Sequence, residues 1–231
     1  MKPGSETPPG AGAAGRRLQV QRLGLVPYAE GLALQRRLVE QRKAGAILDQ
    51  LLLLEHPAVI TLGVKSRHDR SHVLETPEWL AAHGVEVVET GRGGDVTYHG
   101  PGQLVGYPII DLSPDRRDVH RYVRDLEEVL IRAVERFGIQ ATRSPGLTGV
   151  WVGDTKLAAI GVRIARWVTS HGFALNVTTD LDHFKLIVPC GLTGKGVTSL
   201  NKLIGHPALM SEVESAVVGA FRAVFDYSSE A

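Results

Sequence analysis

Between Asp118 and Phe137 the chain carries one long apolar stripe. Val119, Tyr122, Val123, Leu126, Val129, Leu130, Ala133, Val134 and Phe137 recur at helical spacing, and Gly138 follows as a stop. A helix with so wide an apolar face needs an apolar surface of similar length to cover it, because most helical stability in proteins comes from packing that face. The rest of the chain offers strands for the purpose. Stretches 18–23, 47–54, 59–62, 85–89, 150–152, 156–163 and 173–177 are apolar or alternating runs of strand length. Stretch 97–110 reads as strand, Gly-Pro-Gly turn, strand, and Gly153-Asp154 marks a hairpin.

Three more helices complete the pattern. Pro27 suits the first turn of a helix running to about Ala44, with Gly45 after it. Thr76 caps a short helix that has Pro77 at its first position and Gly84 beyond its end. Ser211 and Glu214 have the spacing of a capping box for a last helix reaching about Phe225. Helices on a many-stranded core with hairpins imply a mixed sheet flanked by helices, so the fold class is α+β (mixed α/β). One domain is expected over residues 16–231. Residues 1–15, MKPGSETPPGAGAAG, are mostly Gly, Pro and Ala and are expected to form a disordered extension. Deleting them should leave both the melting temperature and the activity nearly unchanged, which a thermal scan and an assay of the truncated chain would check.

Composition narrows the function classes. The 231 residues carry 26 Lys+Arg against 25 Asp+Glu, a formal charge of +1, so nothing in the overall electrostatics calls for a nucleic-acid or anionic-membrane partner. No apolar run approaches the roughly 18–20 residues of a membrane span, and residues 1–15 lack the apolar core of a secretory signal. The single cysteine excludes a disulfide framework and a multi-cysteine metal site within one chain. It suits a reducing compartment, the cytoplasm.

The densest motif is the window from Gly91 to Gln103, GRGGDVTYHGPGQ, with five glycines. Such glycines permit positive φ and close backbone approach to a ligand. The window is not a phosphate-binding P-loop, and it does not read G-x-G-x-x-G. A Gly-rich hairpin is the plain alternative, but Arg92, Tyr98 and His99 beside the glycines favour binding. Further on, Cys190 lies between Pro189 and Gly191, the context of a loop. A lone cysteine is usually a small buried apolar residue. On a loop, however, a thiol can be presented to a cleft, where it needs a base or a cation to act as a nucleophile. Candidate partners are Lys156, His99, His171 and Lys185. Lys156 opens an apolar strand, where partial desolvation would fit it to exchange protons with a thiol. The plain alternative is a strand-end lysine reaching for water.

Nine histidines raise the question of a metal, but His68 and His72, four apart, lack a third ligand in any recognised arrangement, and no metal is expected. Likewise GLTGKG, residues 191–196, has the wrong spacing for a phosphate loop.

Taken together, these residues resemble the lipoyl(octanoyl) transferases, octanoyl-acyl-carrier-protein:protein N-octanoyltransferases. The matching blocks are LLLLEHP from Leu51, RGGDVTYHGPGQLV from Arg92 with Tyr107-Pro108-Ile109, GVWV from Gly149, KLAAIGVR from Lys156, HGFALN from His171, and Pro189-Cys190-Gly191. They span most of the chain from Leu51 to Cys190. The resemblance implies a biotin/lipoate protein ligase-like fold. It implies that Cys190 carries the octanoyl group as a thioester and that Lys156 lowers its pKa and shuttles protons. Arg92, Gly93, Gly94, Asp95, Val96, Thr97, Tyr98 and His99, then Ala159, Ile160 and Gly161, then Gly172, Phe173 and Ala174, match the substrate-binding segments. The implied donor is octanoyl-acyl-carrier protein. The implied acceptors are lipoyl domains of 2-oxoacid dehydrogenase E2 subunits and the glycine cleavage H protein, served by a monomer that needs no cofactor. Two other readings stay open at this point: an ATP-dependent lipoate or biotin ligase on the same fold, and a non-catalytic module that binds carrier proteins.

Overall fold

The structure is a computed structural model that describes residues 16–113, 115–188 and 195–228. The expected N-terminal extension, residues 1–15, lies outside the described residues, and so does Cys190.

The main sheet grows from a run of four leucines. Strands β1 (Leu18–Leu25) and β2 (Asp49–Glu55) pair in parallel. The sheet then continues antiparallel through β6 (Gln103–Ile109), β10 (Val168–Asn176), β9 (Thr155–Ala165), β8 (Leu147–Val152) and β7 (Thr142–Ser144). A short β11 (Gly196–Val197) adds in parallel beside the start of β9. Along β2 the side chains alternate between faces, as a pleated strand requires. Leu51 and Leu53 join the core beneath helices α3 (Val119–Glu135) and α5 (Met210–Val224), while Leu52 and Leu54 join the core beneath α1 (Tyr28–Lys43). Both faces are therefore covered, which is why this strand is apolar at every central position. Full burial of each leucine contributes about 1.5–3 kcal/mol.

A second, smaller sheet has β3 (Val59–Leu62) between β4 (Glu86–Glu89) and β5 (Val96–His99). Its core combines Ile60, Leu62, Val96 and Tyr98 with Leu80 of α2 (Pro77–Ala82) and with Leu186 and Ile187 from the end of a 3-10 turn, Leu181–Leu186. A short α4 (Leu200–Ile204) precedes α5. Thr76 caps α2 by accepting the Trp79 N–H, and Asp118 caps α3 by accepting the Arg121 N–H, as the residue types predict.

Three sequence expectations are corrected. Ser211 and Glu214 form no capping box, because α5 begins at Met210, two residues earlier than a cap at Ser211 would place it, and Leu209 precedes it without a side-chain cap. Glu214 reaches instead to Arg22 of β1, 3.2 Å away. Strands β5 and β6 do not form the Gly-rich hairpin weighed above. They belong to different sheets, and the Gly100–Gly102 corner carries the chain across, with the Gly102 N–H donated to Glu55 Oε2 at 2.6 Å. Finally, Val119 and Val123 of the helical stripe do not join the core. Val119 is exposed, and both lie along the wall of a cavity.

Candidate active site

That cavity has a volume of about 520 Å³, within the roughly 300–1,000 Å³ usual for small-molecule sites. Its floor is the β9–β10 ladder, where Ala159 pairs with Ala174 and Gly161 with Gly172. The Gly-rich loop seats over this floor through the Gly93 N–H, which donates to the Val162 carbonyl at 2.9 Å. A Cβ at Gly161 would stand 2.9 Å from the Gly93 carbonyl oxygen and 3.2 Å from Arg92 Cδ, so only glycine lets the loop approach this closely. From the loop, Arg92, Gly93, Gly94, Asp95, Val96, Thr97 and His99 line the space; from the strands, Lys156, Ala159, Ile160, Gly161, Gly172, Phe173 and Ala174 do. Tyr98 does not line the cavity. Alternation along β5 turns it into the core of the small sheet, stacked on His183 with ring centroids 5.0 Å apart and edge-on to Phe184 at 5.5 Å.

Buried cations and imidazoles define one end of the cavity. Arg92 is only 7% exposed, and its guanidinium donates to Thr61 Oγ1 from Nε (3.1 Å) and Nη2 (2.9 Å), to the Thr61 carbonyl (2.6 Å) and to the Gly93 carbonyl (3.1 Å). His99 donates from Nδ1 to Gln103 Oε1 at 2.7 Å, because the Gln103 amide nitrogen is committed to the Tyr98 carbonyl and to Asn176 Oδ1. Asn176 in turn donates to the Thr198 carbonyl, and the Thr198 N–H donates to the Lys156 carbonyl. One hydrogen-bonded line thus joins the Gly-rich window to the lysine strand. Burial, with the neighbouring His56 and Arg92 charges, pushes the His99 pKa down to about 3. Burial and the charges of Arg92, Arg163 and Arg36 push His171 down to about 4. Both imidazoles are neutral near neutral pH.

Lys156 marks the other end. It opens β9 opposite Trp151 of β8 and beside Val197 of β11. Its Nζ lies 4.9 Å from the centre of the Trp151 ring, a cation–π distance. The adjoining wall at Gly146, Leu147 and Thr148 is held from beneath by Glu127 of α3. This fully buried carboxylate accepts the Gly149 N–H (3.0 Å) and guanidinium N–H groups of Arg124 (2.6 Å) and Arg143 (3.2 Å). Of the remaining partner candidates, Lys185 is exposed and paired with Asp182 at 2.7 Å, away from the cavity. His68 and His72 diverge, the first facing Glu89 at 3.6 Å and the second Asp95 at 2.7 Å. Of the described residues on either side of Cys190, Val188 donates its N–H to the carbonyl of His72, in the loop between β3 and α2, at 2.9 Å, and Val197 pairs with Lys156 of the main sheet.

Residue-type reasoning did not single out Tyr28, Lys65, Gln103, Tyr107 or Asn176, all of which line the cavity. A signal existed for two of them. Gln103 and Asn176 are amides inside apolar strand runs, and a buried amide must find partners. Nothing local distinguishes Tyr28 or Lys65 from surface residues.

The comparisons agree with this architecture. Residues 27–222 match the lipoyl protein ligase A/B catalytic domain. An octanoyltransferase of Rubrobacter xylanophilus is 53% identical over 209 residues, covering 90% of this chain and 93% of that protein. An octanoyltransferase of Myxococcus xanthus is 52% identical over 215 residues, and the match covers 90% of this chain but 60% of that longer protein. Among solved structures, a lipoate-protein ligase A bound with ATP superposes with a TM-score of 0.73 at 16% identity, over 93% of this chain and 88% of that one. A biotin protein ligase of Aquifex aeolicus, in its apo form, superposes with a TM-score of 0.52 at 12% identity, over 91% and 69%. The fold is therefore that of the lipoate and biotin protein ligases, and the chain belongs to the lipoyl protein ligase A/B family, in its octanoyltransferase branch.

Proposed function

We propose that the protein transfers an octanoyl group from octanoyl-acyl-carrier protein to the target lysine of apo lipoyl domains, through a thioester on Cys190. The observation that carries this reading is the position of Lys156: it lines the same cavity as a wall of small residues, Ala159, Gly161, Gly172 and Ala174. The acyl chain lies along that wall, and its burial contributes about 0.8 kcal/mol per methylene, roughly 5 kcal/mol for the chain. The Cys190 sulfur attacks the thioester carbonyl, and the carrier thiol leaves with a proton from Lys156. The lysine amine of the lipoyl domain then attacks the acyl-enzyme. The Cys190–acyl bond breaks, an amide forms, and the proton lost by the amine returns to Lys156.

Neither buried imidazole suits the proton transfer. A general base works best with a pKa near the operating pH, and His99 at about 3 and His171 at about 4 lie well below it. Exchange between two thiols is nearly balanced in free energy and amide formation runs downhill, so the reaction requires no nucleotide. The acceptors are lipoyl domains of 2-oxoacid dehydrogenase E2 subunits and of the glycine cleavage H protein, and the enzyme acts as a cytoplasmic monomer.

Intact mass after mixing with octanoyl-carrier protein is the direct test: the protein should gain one octanoyl group, released by hydroxylamine. Free octanoate with ATP should give neither this adduct nor acylated lipoyl domain. Product formed from octanoate and ATP would instead make the protein a ligase. Full transfer by a Cys190→Ala chain would leave only carrier-protein binding to that residue.

A further inference from the structure

We propose that His171 closes the far end of the acyl slot and sets the length of chain that the slot accepts. This inference rests on the proposed function and adds to it the determinant of acyl-group choice. His171 occupies a left-handed conformation, φ 55°, within β10. Histidine is among the few residue types enriched there, but a strand interior is an unusual place for it, and such conformations persist only where the surroundings impose them. Here the His171 N–H donates to Gln35 Oε1 of α1 at 2.7 Å, and the ring stands edge-on to Tyr107 with centroids 6.3 Å apart. The residue is 4% exposed and lines the cavity, yet neither ring nitrogen has a hydrogen-bond partner among the described residues. An imidazole this buried is ordinarily partnered; this one faces the space a ligand would occupy.

Its distance from the reacting end fits an eight-carbon chain. Lys156 leans forward along β9, so that a Cβ at Gly149 would stand 3.5 Å from Lys156 Cε and would collide with the Ala158 carbonyl. The ammonium end of the slot therefore lies level with Ala158. On the other side, His171 pairs with Val162, four residues further along β9, which is about 13 Å at ~3.3 Å per strand residue. An extended octanoyl chain spans about 9 Å, because each of its seven bonds of ~1.5 Å advances only about 1.3 Å along the zigzag. That leaves about 4 Å, one van der Waals contact, between the terminal methyl and the ring. Two more carbons would drive the chain into an imidazole packed edge-on against Tyr107, on a backbone that Gln35 holds, beside the buried Arg92.

The test compares octanoyl- and decanoyl-carrier protein as donors to the wild type, His171→Gly and His171→Asn. Both replacements tolerate the left-handed backbone, glycine because it has no Cβ and asparagine because its short side chain suits that region. The first opens the slot fully and the second partly. A single methylene in an apolar pocket discriminates by about 10–200-fold. Accordingly, His171→Gly should raise the decanoyl-to-octanoyl ratio of kcat/KM by roughly tenfold or more, with His171→Asn between it and the wild type. An unchanged ratio in active variants, or an equal fall with both donors, overturns the role assigned to His171. If the wild type formed no octanoyl adduct at all, the proposed function itself would fall, a result easily told apart from an adduct with an unmoved ratio.

Discussion

Replacing Lys156 with alanine should lower octanoyl transfer by roughly 10²–10⁴, the usual contribution of a positioned general acid and base. Acylation of the enzyme and aminolysis by the lipoyl domain should both slow, because in the proposed mechanism the same ammonium gives a proton in the first half-reaction and recovers one in the second. Alkylation by iodoacetamide isolates the electrostatic part. A free thiol titrates near ~8.5, and loss of the cation proposed to favour its thiolate should shift the pH midpoint of Cys190 alkylation upward, towards that value. Cys190→Ala should abolish the octanoyl adduct while leaving the thermal transition in place, since only one sulfur is removed. Stopped-flow acylation, intact mass and a pH series of alkylation rates together check the pair. Near-normal transfer and an unshifted alkylation profile in Lys156→Ala would reduce Lys156 to a strand-end residue seated on Trp151.

The second large effect concerns acid. His99 and His171 are neutral in the folded protein down to about pH 3 and about pH 4, whereas a histidine in the unfolded chain takes up a proton near ~6.5. Above that pH the unfolded state binds no extra protons and the full stability is present. As the pH falls through 6.5 the unfolded chain gains protons that the folded chain cannot accept, so stability declines at about 1.4 kcal/mol per pH unit for each histidine. Between pH 6.5 and 4.5 the two residues together should remove about 5 kcal/mol, a large share of a typical domain stability of about 5–15 kcal/mol. Urea unfolding at stepped pH measures this directly. His171→Asn should remove about half of the slope while leaving the neutral-pH transition in place. Parallel acid profiles for wild type and variant would show that burial of these rings does not govern the decline.

Much of the site was legible because its residue types are constrained locally. Glycines that allow backbone contact, a lysine at the head of an apolar strand and small residues on a strand face each leave a mark that depends on near neighbours alone. Residues 92–97 and His99, Lys156 and the segments 159–161 and 172–174 line one cavity, whereas Tyr98 does not. Tyr98 was misplaced because a run of adjacent residues was treated as one unit, whereas a pleated strand sends successive side chains to opposite faces.

What the amino-acid sequence determined by itself is most of the elements: a long amphipathic helix, strands with buried faces, the capping residue Thr76, and the family to which the motif blocks point. Hydrophobic period, cap chemistry and glycine spacing act over a few residues, so they can be read one segment at a time. The tertiary structure alone decided which strands meet. Neighbours β5 and β6 enter different sheets, while β10 lies between β6 and β9. It turned Val119 and Val123 out of the core to line the cavity, and it linked Glu214 to Arg22 across the fold. It also bent the backbone at His171, through a hydrogen bond to a glutamine 136 residues away in the chain. Pairings of this kind are chosen by the summed burial of many distant side chains against the entropy of closing long loops, and no local stretch of sequence contains that balance.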